Sequence, residues 1–581
     1  MKPFELLRSG TVAGSSVLAL ALLSSALPAR AYVYATDIQI NGNLTNATAF
    51  QDVPASISYR LNQVADRGVA VNILQGNTVV QLIAGGTNMG SNAVSWIPAS
   101  TGTYSVSITA AATGFTNWTQ ISTTNPGNYI SYAAGIAVDN NTNSPYYGRV
   151  VVGCAAASGV NPVSGSNNMD GIYKLNADGS YADEGGFGYG GYTTDDFGNT
   201  SSPGQMPSQS GGVPWSLKIG DDDRIYMMDY SSLGAVIAFD MKVTTNQIVI
   251  DDGYKGSLGG PHNYTNNPYF GSLAYGLNNF DMTSTTTSNA AIWLCDSAPD
   301  SPNWGIWMYR LRNGASDPAD TKGIQAVIAG SSSDLSEGSS GGCMVDTNLD
   351  IFVSQSLYDN DTPSRCMEYT NWNRGILPPE GNGPTNAYGT NTGQVRWSVG
   401  TNDATFEYVQ DTVINNRQHP TMVALPMLAG NDNYPGIRVL NATNGSVILT
   451  NLGYPAQYAG AAWDNLGNLY GAAWPNSFWQ VWSPPGTNQA TTLAVAQVVV
   501  STLTINITEI SAIPSSPGCS AITITFTNSS NLLPSAFNLF GSTTVNGAYT
   551  NVGALITGGP GTYQAAVTNC SSPMFYKIES P

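Results

Sequence analysis

The sequence predicts an all-β chain in which a six-bladed β-propeller is flanked by two β-sandwich domains. Three observations predict it. After the first 31 residues, no stretch keeps apolar residues at i, i+3, i+4 and i+7 over several turns, so helices are not expected. Short β-branched and aromatic runs instead alternate with clusters of Gly, Asn, Asp, Ser and Pro, the pattern of strands and turns. Between residues 125 and 500 a strand–turn–strand unit recurs, and periodic recurrence of that kind marks a repeat architecture.

Composition bounds the rest. The chain has 581 residues, of which 42% are hydrophobic and only 10% charged. The first figure supports packed cores, and the second is well below the usual level of about 25%. Net charge is −18. Such a chain repels phosphate backbones and anionic lipid, so nucleic acid is not an expected partner. The acidity reads as solubility.

The N-terminus predicts export. Lys2 and Arg8 form a basic start, Val12 to Leu27 is small-residue and leucine rich, and Ala29-Arg30-Ala31 is a cleavage pattern. Residues 1–31 are therefore expected to be a signal peptide. No later run is apolar enough to span a bilayer, so no transmembrane segment is expected after cleavage. The mature protein is expected to be secreted, periplasmic or on the cell surface. Cysteine pairing suits that setting. Cys519 and Cys570 are the natural pair in the last segment, and Cys343 and Cys366 bracket an expected strand pair and could also bridge. Cys154 and Cys295 sit in the apolar runs RVVVGCAA and AIWLCD and are expected to be buried thiols.

Residues 32–112 are expected to form one domain. ASISYRL, VAVNIL, AVSWIPAS and GTYSVSITA read as alternating strands. Their order resembles the Ig-like module of flagellar hook-capping proteins, in which Trp96 and Tyr104 would start the last hairpin. Both are expected in the core.

Residues 113–500 are expected to be the propeller. The unit appears at 132–154, 213–230, 271–297, 341–356 and 458–474, with a weaker copy at 419–441. Third strands such as AVIAFDMKV and GIWMYRLRNG follow, then fourth runs such as QIVIDD and VRWSVG. One four-stranded blade cannot bury both faces, whereas a ring of blades buries each against its neighbours. The segments DNLGNLY (464–470) and DDDRIY (221–226) resemble the strand–turn–strand signature of NHL-type and gluconolactonase-like propellers. Residues 501–581 are expected to be a small sandwich whose VNGAYT carries an Asn-Gly turn. Its closing FYKI resembles fibronectin-III-like appendages of secreted proteins from verrucomicrobia-like bacteria.

The resemblance also implies chemistry. Gluconolactonase-like propellers hold a divalent metal at one channel end with oxygen ligands, a donor set suited to calcium. Asp229 and Asp296, which follow second strands, and Asn278 and Asn279 are the positions that would serve, although the family's glutamate has no counterpart. Asp221-Asp222-Asp223 lacks the spacing of a calcium loop and reads as a solvated turn. Asp139 with Asn140, Asn141 and Asn143 reads as a turn, or as a surface calcium site. A catalytic imidazole would be His419, since His262 lies in a loop and no other histidine exists. Trp304, Trp307, Trp372 and Trp479 are the candidates for stacking a sugar ring or a protein partner, with Trp474 and Trp482 in the same cluster. The Gly-rich stretch 184–198 reads as a loop over the channel.

Three functions follow as expectations. The first is a binding or scaffold protein whose propeller recognises glycan or protein. The second is a metal-dependent hydrolase or lyase, and the third is a surface-layer or filament component.

Overall fold

The structure is a computed structural model. It describes all residues except 1–32, 124, 155–170, 183–190, 193–213, 230–234, 252–276, 284–289, 297–304, 313–314, 317–323, 330–339, 356–364, 371–394, 401–405, 407, 429–434, 475, 502–504, 517–518, 529–532, 560, 570–574 and 580–581. The signal-peptide segment, His262, Trp304, Trp372, Cys570 and all but two residues of the Gly-rich stretch lie outside the described residues.

The chain is all-β, and its centre is a six-bladed propeller. The inner strands are Ala133–Val138, Pro214–Ile219, Leu277–Thr283, Ser340–Val345, Val413–Ile414 and Gly460–Trp463. Each lies beside the next, and the last returns to the first. Behind each inner strand, antiparallel partners complete a blade, as Arg224–Asp229, Ala235–Asp240 and Asn246–Asp251 do in blade two. Blade six is closed from outside. Its own chain supplies three strands, and its fourth is Thr119–Gln120, which pairs with Trp482 and Ser483. The ring is thus fastened by residues that precede blade one.

The small residues of the inner strands have a steric cause. A Cβ on Gly341 would run into the Val409 carbonyl, and one on Gly460 into the Ala134 carbonyl. On Gly342 it would lie 2.7 Å from Asp411 Cα, and on Gly135 2.9 Å from the Trp215 carbonyl oxygen. Neighbouring blades meet backbone to backbone at the axis, and only glycine leaves room. Farther out, larger side chains fill the diverging wedge. Trp293, Cys295 and Met308 of blade three pack on Cys343, Val345 and Val353 of blade four.

Fifth-blade strands fall one step later than the repeat at 419–441 suggests. Met422–Met427 is the second strand and Gly436–Asn441 the third. The inner strand lies upstream, in a run where Gln410, Asp411 and Thr412 are all buried. Two apolar residues behind so polar a run show no alternation, so partners on other blades are needed to reveal the strand.

The N-terminal domain is a sandwich. One sheet orders Ala35–Ile40, Ala55–Leu61 and Gly90–Trp96, and the other contains Gly68–Gln75, Thr78–Ala84 and Gly102–Phe115. Trp96 and Tyr104 are buried and meet edge to face at 5.4 Å. Gly486–Ser501 also belongs to this second sheet. It pairs along Gly102–Phe115 and runs parallel to Ala47–Phe50. The end of the range expected for the propeller therefore completes the first domain, so the chain leaves that domain and returns to it around the ring.

The C-terminal segment is a second sandwich, with Ile524, Phe526, Phe537, Leu539 and Tyr563 at its core. Asn538–Ser542 and Thr550–Asn551 pair across the loop that holds Asn546-Gly547.

Cys343 and Cys366 are both buried free thiols, which corrects the bridge expected between them. They face Val353 and Ser354 from opposite sides of Ile351–Gln355. Two strand spacings separate them by about 10 Å, beyond disulfide reach. Cys154 and Cys295 are buried free thiols as well, and Cys154 Sγ donates to the Ser131 carbonyl at 2.8 Å. The Cys519 side chain is outside the described residues.

Candidate functional site: the two ends of the propeller channel

Because the inner strands run parallel, the channel has two distinct ends. At one end each inner strand turns into its second strand. Asn140, Asp221, Thr347, Asn416, Gln418 and Asn465 rim this mouth. It opens on a cavity of about 440 Å³ walled by Ile136, Leu217, Met282, Met344 and Trp463. The lining suits a ligand with hydroxyl or amide groups outside and an apolar face within.

The turns that build the mouth share a device. Asp464 Oδ1 accepts from the Leu466 and Asn468 backbone N–H groups at 3.1 and 2.7 Å. Asp346 accepts likewise from Asn348 and Asp350, both at 2.8 Å. The role of these aspartates is to cap the backbone N–H groups of their turns.

Below the rim, ion pairs lock the ring. Asp281, fully buried, receives both guanidinium arms of Arg417 at 2.5 and 2.7 Å, and accepts the Val345 N–H at 2.7 Å. Blades three, four and five are tied in one knot. Nearby, Ser216 Oγ donates to Asn279 Oδ1 at 2.6 Å, and the Asn279 amide donates to Asp411. Lys218 Nζ is 3.9 Å from Asp411. Burial pushes the Asp411 carboxyl up, and Lys218 opposes it.

The N-terminal domain is anchored at this end. Tyr34 OH lies 3.0 Å from Tyr470 OH, which donates to Asp464 Oδ2 at 3.3 Å. Arg60 links Asp37 at 3.3 Å to Asp178 of blade one at 3.4 Å.

Three nearly enclosed carboxyls on these turns and strands are pushed up by desolvation: Asp139 and Asp464 to about 6, Glu368 to about 7. Each holds its proton more tightly folded than unfolded. Their stabilisation is therefore fully present below the ordinary carboxylate range and is lost as pH rises through 6 to 7. Melting temperature is expected to rise by several degrees between pH 8 and pH 5, since a tenfold gain in proton affinity on folding is worth about 1.4 kcal/mol. A melting temperature that falls over that interval contradicts the assignment.

At the other end of the channel three aromatic side chains converge. Trp474, just past the second strand of blade six, lies 5.8 Å from Trp215 of blade two and 5.8 Å from Tyr132 at the entry to blade one. All three are partly exposed. Tyr132 sits at φ +45°, a left-handed conformation unusual for a bulky residue. Strain of this kind persists only where surrounding contacts enforce it.

The residues singled out from sequence scatter. His419 is exposed on the turn after the inner strand of blade five, and its N–H donates to Asn416 Oδ1 at 3.0 Å. It borders a cavity of about 290 Å³ with Asp350, Glu368 and Arg396. Asn279 is buried, its amide already engaged with Ser216 and Asp411. The side chains of Asn278, Asp229, Asp296 and Trp307 lie outside the described residues. Trp479 is a correction: it is fully buried, stacks on Tyr470 at 6.3 Å and donates to the Gly127 carbonyl at 2.6 Å. Its place between blades six and one leaves no face for a ligand. Among the described residues, no three His, Cys, Asp or Glu side chains are grouped to hold a metal. Nor is any helix there long and apolar enough to cross a membrane.

Sequence reasoning missed Trp215 and Tyr132. Each opens an inner strand, where it reads as one more apolar strand residue, and only ring closure brings them to Trp474.

No protein-family model matches the chain, and no curated protein is similar to it. Several solved structures are. One is a protein of unknown function from Bacteroides thetaiotaomicron, 10% identical, covering 77% of this chain and 98% of its own, with a TM-score of 0.32. Another is the WD40 β-propeller domain of Doa1, 10% identical, covering 64% and 97%, with a TM-score of 0.32. A third is PorZ, a bacterial surface component of the type-IX secretion system of Porphyromonas gingivalis, 11% identical, covering 90% and 71%, with a TM-score of 0.32.

Proposed function

We propose that this is an exported binding protein whose propeller recognises glycan at the aromatic end of its channel, with the flanking sandwiches as supports. The observation that carries the reading is the convergence of Trp474, Trp215 and Tyr132. Three blades contribute one partly exposed aromatic each to a single patch. Aromatic faces stack on the apolar faces of sugar rings, and they bind without charge. A neutral ligand also fits a chain with 10% charged residues. The N-terminal leader pattern supports a location outside the cytoplasm, where glycans are displayed.

A glycan array probed with the mature full-length chain tests the reading. Signal on a related set of neutral glycans is expected. An array with no signal above background, alongside capture of one defined protein, replaces glycan by a protein ligand. No binding in either format overturns the proposal.

A further inference from the structure

The turns of blades one and two hold a feature that the described turns of blades four and six lack. In blade six both oxygens of the turn aspartate are used: Asp464 Oδ2 accepts from Asn468 Nδ2 at 2.6 Å and from Tyr470. In blade four Asp346 Oδ2 faces Asn348 Nδ2 at 3.4 Å. In blade one, Asp139 Oδ1 accepts the Asn141 N–H at 2.9 Å, but Oδ2 has no partner with hydrogen-bond geometry. Asp139 is 1% exposed. An open carboxylate oxygen at that depth is costly unless something neutralises it.

A second carboxylate stands beside it. Asn141 Nδ2 donates to Asp223 Oδ1 at 3.1 Å and to the Asp221 carbonyl at 3.3 Å, so one asparagine touches both aspartates and joins the two turns. The Ser144 hydroxyl, 1% exposed, serves both carboxyl groups and lowers both, and its one hydrogen can satisfy only one of them at a time. Asp221 and Asp222 add negative charge from the same turn. Arg149 is the cation that faces Asp139, and it also lies 5.7 Å over the Tyr146 ring. Arg224 is directed to Gln247 at 3.3 Å. Burial raises both carboxyls, and Asp223 raises Asp139 further.

We infer that Asp139 and Asp223, with the Ser144 hydroxyl and the Asp221 carbonyl, form a calcium site on the propeller rim between blades one and two. All donors are oxygens, which favours a hard divalent ion over zinc or copper. Two carboxylates with neutral oxygens, reached from the solvent side past Asp221 and the half-buried Asp223, correspond to the weak class of extracellular calcium modules, with Kd of about 0.1–1 mM. The ion clamps two blades through their turns and removes the repulsion between them.

Thermal unfolding of the full chain tests this, in chelator and in calcium up to about 10 mM, with magnesium at equal ionic strength as comparison. Calcium is expected to raise the melting temperature by a few degrees, and magnesium by less. Asp223→Asn is expected to fold, since asparagine tolerates the φ of +56° at this position. It should melt higher than the native chain in chelator, because one of two repelling charges is gone, and it should not respond to calcium. A native chain indifferent to calcium overturns the site. So does an Asp223→Asn protein that still responds, or one that melts lower in chelator.

Discussion

Valine at Gly341 or Gly460 is expected to unfold the propeller, a loss of about 4 kcal/mol or more, in the tail that single substitutions seldom reach. The cause is backbone contact at the axis. A side chain at 341 meets the Val409 carbonyl, and one at 460 meets the Ala134 carbonyl. Neither carbonyl can rotate away as a flexible side chain would. Each belongs to the inner edge of the next blade, so relief requires moving a whole blade. The ring transmits that movement around its circumference, which is why a small change in volume has a large effect. Gly559, in the C-terminal sandwich, has open space where a Cβ would lie, with nothing within 4 Å. Gly559→Ala should change stability by less than about 0.5 kcal/mol. Chemical denaturation of the three variants separates these outcomes, and a valine variant at 341 that unfolds with the native midpoint contradicts the close axial contact.

Replacing Arg417 with methionine is expected to cost about 3–5 kcal/mol, the usual effect of stranding a buried charge. Asp281 is fully buried and takes both arms of this guanidinium. Methionine keeps much of the side-chain volume and removes only the charge and its hydrogen bonds. The Val345 N–H remains on Asp281, but one neutral donor does not offset a desolvated carboxylate. Changing both partners, Arg417→Met with Asp281→Asn, should recover a good part of the loss, because the isolated charge is gone. A double-mutant cycle measures the coupling. A single-variant loss below about 1 kcal/mol would place Asp281 in a wetter setting than its burial implies.

Much of the fold was legible where local chemistry and tertiary role coincide. In DNLGNLY the aspartate, the asparagine and the aliphatic-aromatic pair each do locally what the blade requires. Asp464 caps backbone N–H groups two and four residues ahead, and Leu469 and Tyr470 enter the core at once. Gly341-Gly342 was legible as the start of a repeated strand–turn–strand unit, although the reason for its glycines lies in the neighbouring blade. Legibility failed where a strand's partner is remote. Thr119–Gln120 is two residues long, and nothing local ties it to Trp482. Gly486–Ser501 falls within the range expected for the propeller, because nothing local says which sheet receives it. The inner strand of blade five is only Val413–Ile414, and the run before it is polar because Asp411 answers Asn279 and Lys218 on other blades. The site suffered most. Trp479 and Trp474 are five residues apart in a similar setting, and only the folded ring separates core from surface.

The most direct test of the account compares those two positions. The glycan giving the strongest array signal is titrated calorimetrically against the native chain and against Trp474→Ala. Loss of one stacking face is expected to weaken binding at least tenfold, about 1.4 kcal/mol, with the melting temperature nearly unchanged. Native affinity in a folded Trp474→Ala protein would contradict recognition at the aromatic end of the channel.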